Sequence, residues 1–427
     1  MNGSFMTRPT FSDAKVSEIF GDASFARRLL DVEAAYARAQ ANLGVIPSEA
    51  GVEIDRAARD LIIEPDELQT GVAAAGVPVP ALVVALRRAV AEPHKDWVHF
   101  GATSQDIIDC ALLLAIRDAM GVIEARLGAV IDGLETLSTT HAETVMAGRT
   151  RGQVATPITF GLRAAYWAQP CIALEDEVDE LARKAFRVQS GGASGAQTAI
   201  APHGPAIAVA LAKELNLTSS APWHTDRAPL RHIAFWASRL ITALAKIASD
   251  TIISSRSEIG EVTAGATGGS STMPQKANPV TAEAILSIAA VARSVDAGLA
   301  GAAVYSEERD GSMWAVEWHL LPQLMELTAA ALAHSDMLVS TMQPNAQAMS
   351  ERVRSNPEIM AEAAVFALAP KIGRVKAVEL VKEALAKGEP LSSVMESSLA
   401  PDPLDAIAPS KAISAEIFAT RGGSSVQ

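Results

Sequence analysis

The sequence predicts an all-α protein with three helical regions and an elongated central five-helix bundle. Three observations carry that prediction. Hydrophobic residues make up 49% of the chain but aromatic residues only 4%, and alanine is abundant, a mixture that favours helices over strands. Apolar residues recur at spacings of three and four. Between residues 105 and 341, long stretches show few helix breakers.

The elements follow in order. Leu29, Val32, Tyr36, Ala39 and Leu43 mark one helical face over Phe25 to Leu43, and Gly44 and Pro47 stop it. A shorter helical region, punctuated by proline, continues to Pro93. A first long helix is expected from Gln105 to about Thr139. A second is expected from Pro157 to about Gln189, with Thr156 as its cap and proline at the favoured first position. A third is expected over Arg227 to Ile259. A fourth runs from Pro279 to Ala303 with Asn278 as its cap, and a fifth from Met313 to Thr341. Several would be roughly 30 residues, or about 45 Å at 1.5 Å per residue. Their apolar positions exceed one seam, so some faces are expected to bury against other subunits. The regions are read as 1–104, 105–342 and 343–427, with a disordered tail over 422–427.

The 427-residue chain has formal net charge −13 and a pI near 5.2, with no basic tract. Nucleic-acid and anionic-membrane binding are therefore not expected. Cys110 and Cys171 have no metal-like spacing and form no disulfide framework, as in a reducing compartment. Residues 1–10 lack the apolar core of a signal peptide, and no run of about 18 uncharged apolar residues appears. A cytoplasmic location is the expectation.

Polar and glycine-rich residues gather in three segments, each expected to end where a helix begins. They are His99-Phe100-Gly101-Ala102-Thr103-Ser104-Gln105-Asp106, then Gly148-Arg149-Thr150-Arg151-Gly152-Gln153, then Gly268 to Pro279. Helix N-termini present free N–H groups and a positive dipole end, which suits carboxylates. Gly260, Gly265, Gly268 and Gly269 read as a lid or as an ordinary connector.

The third segment, Gly269-Ser270-Ser271-Thr272-Met273-Pro274-Gln275-Lys276-Ala277-Asn278-Pro279, resembles the fumarase/aspartase signature Gly-Ser-Ser-x-Met-Pro-x-Lys-x-Asn-Pro at every fixed position. The Thr-Ser-x-Asp and Gly-Arg-Thr-x-x-Gln segments resemble the other two blocks of that superfamily, in order. The resemblance implies a homotetramer with active sites shared between subunits. It also implies elimination or addition beside a carboxylate of a small-molecule substrate, with no cofactor and no metal.

Residue by residue, the resemblance makes Ser270 the catalytic acid and base. Lys276 and Asn278 would hold the carboxylate where charge develops. Thr103, Ser104, Gln105, Thr150 and Gln153 would bind substrate carboxylates, with Ser104 also readable as a helix cap. His99 and His224 are further substrate-binding candidates, and for His99, a lone histidine beside aromatic residues, a structural role is the plainer reading.

The superfamily histidine that pairs with a glutamate is replaced by Arg151, while the glutamate position is kept as Glu283. An arginine is no proton shuttle. Arg151 can clamp a carboxylate or pair with Glu283, and both readings stand. Loss of the histidine suits lactonisation, where the nucleophile is the substrate's own carboxylate. Ser306-Glu307-Glu308-Arg309-Asp310 resembles the substrate-binding segment of adenylosuccinate lyases, which implies that Arg309 binds substrate. Trp314 and Trp318 stand where those lyases carry nucleotide contacts. The Trp-x-x-Glu-Trp pattern and Pro222-Trp223-His224-Thr225-Asp226-Arg227 resemble instead the cycloisomerases of 3-carboxy-cis,cis-muconate, a tricarboxylate. Core packing is the plainer reading of each tryptophan. The rivals are an adenylosuccinate lyase-like C–N lyase and a catalytically silent structural homologue.

Overall fold

The computed structural model describes residues 4–264, 268–269, 273, 276–396 and 399–421. Helices dominate, as composition predicts. Asp22–Asn42 covers the first expected helix, and Ser104–Thr140 the first long one. Ala228–Ser254, Val280–Ala302 and Gly311–Thr341 match the third, fourth and fifth within a few residues.

The second long helix differs. Thr156 and Pro157 lie in a strand, Gln153–Thr159, paired antiparallel with Val145–Thr150, and Pro157 sits opposite Ala147. A two-stranded ribbon has only edges, where proline's missing N–H does no harm. The helix begins at Phe160, and its cap is Thr159, whose Oγ1 accepts the Leu162 N–H at 3.1 Å. A second helix, Val178–Ala185, follows.

The chain divides into two compact units. The first comprises 1–126, 177–241 and 287–331. Its core joins Leu29, Leu30, Tyr36, Ile54, Leu82, Leu86, Ile107, Leu211 and Trp314, all essentially buried. Asp22–Asn42 packs on Ser48–Asp60 and on Gly204–Leu215. Each fully buried leucine or isoleucine stabilises this unit by about 1.5–3 kcal/mol.

The second unit comprises 127–176, 242–286 and 332–427. Around its hairpin, Ala147 packs with Val353, Ile359, Met360, Ala364, Leu368 and Val381. Ser138 Oγ donates to the Gly161 carbonyl, and Trp167 Nε1 to Asp250, at 2.9 and 2.8 Å.

Val280–Ala302 is long and apolar enough, by length and composition, to cross a bilayer, although no uncharged run was expected. Only 39% of its most apolar window is buried within the chain. Charged residues interrupt it, and Asp296 pairs with Arg231 at 2.8 Å.

Candidate active site

In the first unit, the Thr103–Asp106 segment opens the helix Ser104–Thr140. Thr103 occupies the cap position, because its carbonyl accepts the Asp106 N–H at 3.0 Å. Asp106 reaches back to the Thr103 N–H at 3.1 Å. Ser104, read from sequence as a possible cap, is instead the first helical residue. Asp106 also accepts from the Gly191 and Gly192 N–H groups at 2.7 and 3.0 Å. Burial pushes its carboxyl up to about 6, against the opposing pull of those hydrogen bonds.

Because Asp106 takes the backbone donors, the Thr103 hydroxyl is left for a side chain. Its Oγ1 accepts from Arg309 Nη2 at 3.1 Å, and Ala193 O accepts from the same nitrogen at 3.0 Å. Arg309 Nε donates to Gln105 Oε1 at 3.0 Å. Gln105 is fully buried, and its Nε2 donates to the His224 carbonyl at 2.8 Å and to Asp109 at 3.3 Å. The guanidinium is thus fixed on two of its three nitrogens. Its Nη1 has no partner among the described residues. A partly exposed arginine held this way is a preorganised carboxylate receptor.

Beneath it lies a buried charge cluster. Arg227 is fully buried and donates to Asp109 at 2.8 and 3.1 Å and to Glu317 at 2.6 Å. Its guanidinium lies 4.7 Å from the Trp223 ring and 4.9 Å from the Tyr305 ring. Burial acts to lower the Arg227 pKa, but the two carboxylates outweigh it and raise it. Trp314 Nε1 donates to Asp109 at 2.9 Å, and the Trp318 ring meets Trp314 edge-on at 4.6 Å. Trp314 is therefore a core anchor for Asp109, and Trp318 leans on it.

His99 is a paired histidine. Its Nδ1 lies 2.6 Å from the buried Glu33 carboxylate. Burial acts to lower its pKa, but the charge and hydrogen bond of Glu33 outweigh it, for a net rise. His224 is buried, and burial, then Arg309, hold its pKa below the ordinary value.

The second unit carries the other two segments. Gly148–Gln153 does not end at a helix. It forms the turn of the hairpin, with Arg151 at φ 53° and Gly152 at φ 80° as the two linking residues. Positive φ at both positions is what a two-residue hairpin turn of matching twist requires. Thr150, Arg151 and Gln153 are exposed. Arg151 has no ion-pair partner among the described residues, so of its two readings the pair with Glu283 is not formed within the chain. The neighbouring Arg149 makes the structural pair instead, donating to buried Glu261 at 2.8 and 2.6 Å. In the signature segment, Gly268 and Gly269 pair antiparallel with Asn278 and Ala277. Asn278, expected as a cap, thus sits in this ribbon just before the helix Val280–Ala302, and Glu283 lies exposed in that helix's first turn. The Lys276 N–H donates to Met273 O at 3.0 Å, and its side chain is exposed. Ser270 lies outside the described residues, as do Gly265 of the glycine-rich approach and the expected disordered tail.

A family model described as lyase matches residues 8–293. The chain belongs to this lyase family. A 3-carboxy-cis,cis-muconate cycloisomerase of Bradyrhizobium diazoefficiens is 37% identical over 388 residues, covering 88% of this lyase and 85% of that protein. A nitrosuccinate lyase of Streptomyces davaonensis is 33% identical over 414 residues, covering 91% and 86%. The crystal structure of 3-carboxy-cis,cis-muconate lactonizing enzyme from Pseudomonas putida matches with TM-score 0.87 and 30% identity, over 97% of this lyase and 99% of that chain. The lyase therefore has the fumarase/aspartase-type fold expected from its signature, and it is an enzyme of the lyase and isomerase class.

Sequence reasoning singled out Thr103, Gln105, Arg309 and His224, which the structure gathers in one unit. It assigned no role to Asp106, Asp109, Gln189 or Glu317. Asp106 could have been found from its place three residues after the cap. Glu317 stands inside the Trp-x-x-Glu-Trp pattern, and nothing local marks Asp109 or Gln189.

Proposed function

We propose that this lyase cycloisomerises 3-carboxy-cis,cis-muconate to 4-carboxymuconolactone, reversibly and by anti addition. A substrate carboxylate oxygen forms a bond to one alkene carbon. A proton is added to the other carbon, next to a carboxylate. Ser270 is assigned as the donor of that proton, with Lys276 and Asn278 stabilising the charge that develops beside it. Atoms balance without oxidant or reductant. The reading is carried by Arg309, whose Nη1 is left open while its other nitrogens are held by Thr103, Gln105 and Ala193. The name of the Bradyrhizobium relative supports the choice of substrate. The test is loss of diene absorbance on adding 3-carboxy-cis,cis-muconate to the purified protein.

The similarity to a nitrosuccinate lyase favours a second reading, elimination beside a carboxylate. Turnover of nitrosuccinate without turnover of the muconate would establish that reading instead. An adenylosuccinate lyase activity is disfavoured, because Trp314 is buried against Asp109 where nucleotide contacts would be needed. We also assign a homotetramer with shared active sites, supported by the largely unburied apolar window of Val280–Ala302. Light scattering that shows an active monomer would remove it.

A further inference from the structure

Gln189 and His224 form a device that neither the signature segments nor the proposed reaction employs. The Trp223 backbone N–H can only donate, and it points to Gln189 Oε1 at 3.0 Å. That contact fixes which end of the amide is which. Gln189 Nε2 therefore faces the opposite way, 3.3 Å from Asp106 Oδ1 and 3.2 Å from His224 Nδ1. An amide nitrogen carries two hydrogens and no lone pair to share. One hydrogen goes to Asp106 and the other to His224 Nδ1, so Nδ1 must accept. The imidazole proton is then on Nε2. That Nε2 is buried and has no hydrogen-bond partner among the described residues. A buried unmet donor is uncommon in a folded protein and calls for a partner to come.

The surroundings indicate which partner. The His224 ring packs under the 191–195 loop, where a Cβ on Gly191 would come within 3.1 Å of Nδ1. The same loop provides the Ala193 carbonyl that holds Arg309. Gln105 joins the His224 carbonyl to Arg309 Nε. The unmet donor thus belongs to the cluster that leaves Arg309 Nη1 open. Burial, then the nearby Arg309, lower the ring's pKa and so favour its neutral form, a directed donor without charge.

We propose that Gln189 is a positioning residue that fixes His224 as the Nε2–H tautomer, and that this N–H receives a substrate carboxylate beside Arg309. The carboxylate partner rests on the proposed reaction; the tautomer does not.

The experiment separates the two. Nitrogen NMR of imidazole-labelled protein, with His224→Gln to assign the signal, should show His224 Nε2 protonated and Nδ1 bare. In Gln189→Glu the second carboxylate oxygen faces Nδ1 and should draw the proton to it. Gln189→Met, in case the added charge prevents folding, should give a mixture of tautomers. Citrate is then titrated in, and the Arg309 Nε–H is followed in the same samples. Movement of both His224 and Arg309 supports the carboxylate role even if the muconate is not a substrate. A citrate-insensitive His224, whatever Arg309 does, overturns that role. Where turnover is seen, His224→Phe should raise KM roughly 10- to 100-fold, the scale of one hydrogen bond to a charged acceptor, with kcat within a few-fold. His224→Gln, which can still donate, should recover most of the loss. A wild-type Nδ1–H tautomer, or an unchanged KM in His224→Phe, sinks the proposal.

Discussion

The two units hold their candidate residues in opposite ways. In the first, Arg309, Gln105 and His224 rest on a buried lattice of Asp106, Asp109, Arg227 and Glu317, and almost every polar atom is committed. In the second, Thr150, Arg151, Gln153 and Lys276 stand exposed on a hairpin turn and a short ribbon. The first arrangement is preorganised: its geometry is fixed before any ligand arrives, so little reorganisation is left for binding. The second has side chains free to take new partners. Family signatures mark both, so motif alone does not distinguish a receptor already built from one completed by its ligand or by a neighbouring subunit.

The largest effect is expected at Ser270. Ser270→Ala should lower kcat by about 10²–10⁴-fold, the range of general acid–base catalysis, with the melting temperature unchanged. Near-normal turnover would show that Ser270 is not the proton donor.

The buried lattice should answer through stability. Arg227→Met leaves Asp109 and Glu317 buried without their cation, which should cost about 3–5 kcal/mol in denaturant unfolding. A loss below about 1 kcal/mol would show that the cluster is not the rigid floor described above.

Arg309 tests preorganisation directly. Arg309→Lys keeps the charge but cannot reach Thr103, Gln105, Ala193 and a ligand together. It should reduce kcat/KM by roughly 10- to 100-fold, as for a lost charge-assisted bond, with stability little changed. If lysine serves as well as arginine, the fixed fork is irrelevant.

The His99–Glu33 pair gives a pH signature. The His99 pKa is raised above the ordinary 6.5 in the fold. Its contribution to stability is therefore fully present below that value and is lost as pH rises through the folded value. Melting of the wild type and His99→Asn should differ more on the acid side than on the alkaline side. A difference that grows with pH would contradict the pairing.

Arg151 should show the smallest effect on stability. Arg151 is exposed and has no ion-pair partner among the described residues, so Arg151→Gln should shift unfolding by no more than about 0.5 kcal/mol. If Arg151 clamps a substrate carboxylate in the assembled enzyme, KM should rise while the melting temperature stays. A large fall in melting temperature with constant KM would make it a structural residue after all, and would erase the contrast between the units.

The chain itself determined the helical class, four of the five long helices, and the signature that places it among the lyases. These are local properties: apolar spacing, breakers, and a motif within a dozen residues. Thr156-Pro157 shows the limit of that reading. The same pair that would start a helix lies in a strand, because pairing with Ala147 outweighs a local preference. The roles of Arg149 and Arg151 were likewise decided by the hairpin, which aims one at Glu261 and leaves the other at the turn.

Only the tertiary structure decided what supports the candidate site. Asp109 and Arg227 are 118 residues apart, Arg227 and Glu317 are 90 apart, and Gln105 and Arg309 are 204 apart. No periodicity or spacing rule spans such distances. A buried charge has to find its partners in three dimensions, since burial without them costs more than most folds can bear. Which nitrogen of His224 holds its proton was fixed in the same way, by a backbone N–H acting through Gln189, a relation that exists only once the chain is folded.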